Sequence, residues 1–122
     1  MKKFFAMFVT MIISASAFAG NWKLVANDNI FPNSPPMKIY PVNSKETYSE
    51  ILVRVSRGTV RINNPMVWLK NKGQMGVFQV QGDYRGPRDA SGNFLADQVR
   101  DIRMNILNLD RNMPAQVQIY LR

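Results

Sequence analysis

Few side chains in this sequence can do chemistry. It contains neither histidine nor cysteine. The commonest general base and the commonest metal ligand are therefore missing, and Ser-His-Asp, Cys-His and ordinary zinc chemistry are excluded. Carboxylates and guanidinium groups remain. The eight acids are Asp28, Glu46, Glu50, Asp83, Asp89, Asp97, Asp101 and Asp110. Two carboxylates about 5–10 Å apart can cleave a glycosidic bond, and Asp97 and Asp101 would be neighbours if their stretch were helical. The segment DASGNFLAD spaces oxygens at Asp89, Ser91, Asn93 and Asp97 as a calcium loop does. Its sixth position is Phe94 where such a loop needs glycine, and its twelfth is Arg100 where it needs glutamate. The segment reads as a polar turn, and no cofactor or metal is expected.

The basic residues are more suggestive. Arg54, Arg61, Lys70 and Arg103 form a candidate anion-binding face. Arg54 and Arg61 share the polar side of an expected hairpin, Arg103 points outward from its own strand, and Lys70 sits with Lys72 near a turn. Guanidinium groups grip phosphate or carboxylate through two parallel hydrogen bonds. Trp22, Trp68, Tyr84 and Tyr120 could stack on a base or a sugar, with Trp68 expected in the core and Tyr120 on an exposed side. The alternative is an ordinary solvated sheet surface, since strand faces commonly carry such charges.

The elements that must position these groups show mainly period two. NWKLVA reads as a short first strand. Residues 27–49 follow with prolines at 32, 35, 36 and 41, which exclude a regular helix or central strand. MKIY is an expected edge strand within that irregular stretch. In EILVRVSRGTVRINN, Ile51, Val53 and Val55 alternate with Arg54 and Ser56, and Val60 and Ile62 alternate with Thr59 and Arg61. Gly58 between them predicts a hairpin. PMVWLK is apolar on both sides, as an interior strand would be. NKG is a three-residue hairpin loop with Gly73 at positive φ. In MGVFQVQG, Phe78 and Val80 are expected to face inward. DYRGPRDASGN reads as a loop. PAQVQIYLR is an alternating strand with Val117, Ile119 and Leu121 on one side.

QVRDIRMNILNLDRN fits both periods. A helix would carry Leu95, Val99, Ile102, Ile106 and Leu109 on one stripe but leave Met104 and Leu107 off it. A strand puts Ile102, Met104 and Ile106 on one side, with a phase slip before Leu107 of the kind a bulge produces. Strand is preferred, because a sure strand follows after only a few turn residues. The predicted fold is all-β: an antiparallel β-sandwich or partly open barrel of about seven strands.

The chain opens MKKFFAMFVTMIISASAFAGNW. Two lysines, an apolar run too short for a bilayer span, and Ala17 and Ala19 mark residues 1–19 as a secretory signal peptide cut before Gly20. Residues 20–122 are one domain by length. The formal charge is +8; removing Lys2 and Lys3 leaves 14 basic against eight acidic residues, a net +6. The expected location is periplasmic or secreted, and without cysteine the fold must be stable through packing alone.

The strand and turn order ILVRVSRGTVRI, MVWLKNKG, RDIRMNI and AQVQIY resembles small exported bacterial β-sandwich domains of unknown function. Arg100 and Ile102 are spaced one residue short of that pattern. The resemblance implies a fold and an export route, and no activity. The expected function is a non-catalytic binding module of the cell envelope for anionic ligands, its partner an anionic envelope polymer or an envelope protein. The alternative is a small carboxylate-dependent hydrolase acting on envelope glycans.

Overall fold

Period-two alternation organises the backbone from end to end in the computed structural model, which describes residues 21–122. The expected signal peptide lies outside the described residues. Eight strands form: β1 (Lys23–Ile30), β2 (Met37–Pro41), β3 (Thr47–Arg57), β4 (Thr59–Leu69), β5 (Gly73–Gly76), β6 (Gly82–Arg85), β7 (Arg88–Asn108) and β8 (Ala115–Leu121). A 3₁₀ turn, Phe78–Val80, joins β5 to β6. All pairings are antiparallel, in the order β1-β8-β3-β7-β4-β5, with β2 added to β7 and β6 to β4. The all-β, open antiparallel expectation is therefore met, and the doubtful stretch after Leu95 is strand.

β7 holds the two halves together. Its first part pairs with β3 and its second with β4 and β2. Two irregularities let one strand serve both. One lies where Tyr48 and Glu50 face Asp97 and Asn93; the other leaves Arg100 as an extra residue opposite Trp68 and Leu69. The inward phase moves accordingly, from Gly92 and Phe94 to Val99 and then to Ile102, Met104 and Ile106. The slip expected before Leu107 is absent: Leu107 and Leu109 stay outward and exposed. Both halves fold onto one core of Ile51, Val53, Val55, Val60, Ile62, Ile102, Met104, Ile106, Val117, Ile119 and Leu121, among others, all essentially inaccessible. Each such side chain contributes about 1.5–3 kcal/mol.

Several local expectations need correcting. β3 and β4 are not a hairpin; they share no ladder. Only Gly58 separates them, and one residue cannot close a two-stranded turn, so the chain uses it as a corner and changes halves. Gly58 has φ +89, and a Cβ there would lie 2.6 Å from the Ala115 Cβ. TVRINN and PMVWLK form one strand, β4, bulged at Asn64–Pro65. Asn64 takes φ +52, which asparagine tolerates, and its N–H donates to Gln81 Oε1 at 2.9 Å. The irregular region shrinks, because β1 runs to Ile30 and β3 begins at Thr47. MKIY is the expected edge strand.

The loop read in DYRGPRDASGN is mostly strand: β6 and the start of β7 leave only Gly86 and Pro87 between them. Its inward residues Ala90 and Gly92 are small because the 3₁₀ turn packs over them; a Cβ on Gly92 would meet Gln79 at 3.0 Å. That removed the apolar alternation that marks a strand. Val80 is buried as expected, but the same turn points Phe78 outward, 56% exposed, and buries Val77 in its place.

Candidate functional site

The four predicted basic residues do not form one face. Arg54 is on β3 and Arg61 on β4, in different halves. Each of the three arginines has acquired a carboxylate beside it. Arg54 donates through Nε and Nη2 to both oxygens of Asp89, at 2.9 and 3.0 Å, its cross-strand partner on β7. Arg61 does the same to Asp83 on β6, at 2.7 and 3.2 Å. Arg103 donates to Asp101 at 2.9 Å and lies over the Trp68 ring, 4.1 Å from its centre. Lys70 is exposed in the β4–β5 turn, at the other end of the molecule from Gly58. NKG forms the hairpin loop as expected, with Gly73 at φ +78.

The aromatic residues differ from expectation too. Trp68 is half-buried on an outer face, in a shallow depression of about 190 Å³ that Met37, Met66, Gln74 and Asn105 also line. Tyr120 is 1% exposed, although it points away from the core. The Arg54 side chain hydrogen-bonds it there, burial pushes its phenol up, and Arg54 opposes that shift. Farther along β8, Ser56 donates to Gln116 and Gln116 to Asn27, at 2.9 and 3.1 Å. Arg122 pairs with Glu50 at 2.6 Å and covers Trp22. This face has its polar groups matched to one another.

The acids singled out for catalysis or metal binding hold structure instead. Asp97 and Asp101 sit four residues apart on an extended strand, which separates them by about 13 Å. Asp97 accepts four hydrogen bonds: from the Asn71, Lys72 and Gln98 backbone N–H groups at 2.8, 2.9 and 2.7 Å, and from Asn71 Nδ2 at 2.9 Å. Burial pushes its carboxyl up, but those bonds prevail and hold it below the usual carboxylate range. It clamps the β4–β5 turn. Asp89, Ser91 and Asn93 lie on β7 and not on a polar turn.

Another set of arginines comes together. Arg57 ends β3, Arg85 ends β6, Arg88 begins β7, and Arg111 lies in the β7–β8 turn. Backbone contacts bring these four segments around Gly58. The Gly86 N–H donates to the Gly58 carbonyl at 2.8 Å, and the Leu109 N–H to the Thr59 carbonyl at 2.9 Å. Gly86 lies so close that a Cβ there would be 2.7 Å from the Arg57 backbone nitrogen. All four arginines are exposed. Arg88 covers the Tyr84 ring and donates to the Asp83 carbonyl. Among the described residues, Arg57, Arg85 and Arg111 form no ion pair. Asp83 and Asp89 are taken by Arg61 and Arg54, and Asp110 accepts from the Asn112 N–H at 3.0 Å. Sequence reading missed this set because its members are dispersed over 55 positions and meet only through the topology. The one available signal was that three of the four stand within three residues of Gly58 or Gly86.

No known protein family matches the chain, and no curated protein or solved structure does either.

Proposed function

We propose that this protein is an exported, non-catalytic binding module of the cell envelope, and that it holds anionic ligands at the arginine-rich end around Gly58. The leader-like start supports export. The observation that carries the binding reading is the convergence of Arg57, Arg85, Arg88 and Arg111 from separate segments, with Arg57, Arg85 and Arg111 lacking a carboxylate partner. An unpaired guanidinium on a rigid turn has little to give up when phosphate or carboxylate approaches. Arg54, Arg61 and Arg103 must first leave an aspartate. The binding surface therefore moves from the strand faces to the strand ends.

The test is an amide-resolved NMR titration with inorganic polyphosphate at two ionic strengths. Expected are shifts concentrated at residues 57–59, 85–88 and 109–113, weakening as salt rises. Shifts centred on Arg54, Trp68 or Arg103, or none at all, would overturn the assignment.

A further inference from the structure

The arginine-rich end also carries apolar residues with no cover. Phe31 follows β1 and is 56% exposed; Met113 precedes β8 and is 51% exposed; Leu109 follows β7 and is 39% exposed. Their turns are held firmly. Asn108 Nδ2 donates to the carbonyls of Ile30 and Met113, at 2.8 and 2.9 Å, and so ties the two turns together. The Ser34 N–H and hydroxyl both donate to the Phe31 carbonyl, and the Asp110 N–H donates to Asn108 Oδ1 at 2.7 Å. Large side chains are thus presented outward on rigid turns, at the end where the unpaired arginines stand.

A soluble polyanion would use the arginines and leave Phe31 and Met113 in water. An anionic bilayer uses both: guanidinium groups meet lipid phosphates, and apolar side chains enter the boundary between headgroups and acyl chains. Resting on the anion-binding reading above, we infer that this end docks on the surface of an anionic phospholipid bilayer, with Phe31 and Met113 as the inserting side chains and Arg57, Arg85 and Arg111 as the headgroup contacts. The contact is peripheral. Aromatic and thioether side chains suit the interface, and each adds its own increment of burial.

The test is sedimentation of the purified, export-processed protein with phosphatidylglycerol–phosphatidylcholine vesicles, with pure phosphatidylcholine vesicles as the control. The same variants are titrated in parallel with polyphosphate. The wild type should pellet with the anionic vesicles only. F31S/M113S keeps every arginine and should lose about tenfold in vesicle affinity while binding polyphosphate as before. R57E/R85E should lose both. Vesicle binding that F31S/M113S leaves unchanged, or no vesicle binding beside intact polyphosphate binding, overturns the bilayer inference and leaves the anion-binding reading standing. Failure to bind either probe overturns both. A second readout does not depend on how well the double variant folds. The chain has no native cysteine, so M113C accepts one environment-sensitive fluorophore. Its emission should move to the blue on adding anionic vesicles; a water-like emission that does not move contradicts insertion.

Discussion

Two sets of arginines in this protein have opposite circumstances. Arg54, Arg61 and Arg103 lie within strands, and each has an aspartate on a neighbouring strand or two residues along its own. Arg57, Arg85 and Arg111 lie where strands end, and none has one. The difference is geometric. Within a ladder, a side chain has a fixed neighbour about 5 Å away, and there Arg54 meets Asp89 and Arg61 meets Asp83 directly across the strands. At the Gly58 end no carboxylate among the described residues pairs with Arg57, Arg85 or Arg111, whereas at the far end of β8 Glu50 still meets Arg122. A basic residue on a sheet face therefore says less about ligands than one at a turn, however conspicuous the alternation that reveals it.

The comparison can be broken most forcefully at Gly58, the corner around which the second set gathers. Gly58→Ala meets both a positive φ and the Ala115 side chain. It should cost about 2–4 kcal/mol, read as a lowered urea midpoint. A loss no larger than that of an ordinary surface change would mean the corner is not constrained as described.

At the opposite end, order depends on a carboxylate, and pH sharpens the contrast. The hydrogen bonds to Asp97 depress its folded-state value below that of the unfolded chain. Its stabilisation is therefore full above about pH 4 and disappears as the pH falls through the lower, folded value. Asp97→Asn should lower the unfolding midpoint at neutral pH and flatten its decline in acid. Parallel acid limbs for the two proteins would contradict the clamp.

The strand-face pairs should rank by their cover. Arg54→Ala removes a bidentate partner of Asp89 and uncovers Tyr120, and should cost roughly 1 kcal/mol. Arg61→Ala breaks a pair exposed on both sides and should leave the unfolding midpoint unchanged. An equal loss for the two would show that burial does not decide the worth of these pairs.

Much of the fold is legible because burial imposes period two. Ile51, Val53 and Val55, then Val117, Ile119 and Leu121, alternate so regularly that their strands are unmistakable, and NKG announces its turn. Ile102, Met104 and Ile106 favour strand over helix for the same reason. Pairing is harder to read. Gly58 looks like a hairpin turn until one counts that it stands alone between β3 and β4. Ala90 and Gly92 hide a strand because their job is to make room for Gln79. Tyr120 reads as exposed from its alternation, yet Arg54 and its neighbours cover it. The candidate site was the least legible part: the residues proposed for it were conspicuous on strands, whereas Arg57, Arg85, Arg88 and Arg111 look like scattered loop charges until the topology gathers them.

The most direct test compares two double variants of equal net charge, R57Q/R85Q and R54Q/R61Q, for polyphosphate affinity at one ionic strength. If the strand-end arginines form the anion site, the first variant loses about tenfold or more and the second stays near wild type. Equal losses would show that net charge alone drives binding, and a larger loss from R54Q/R61Q would return the site to the sheet faces.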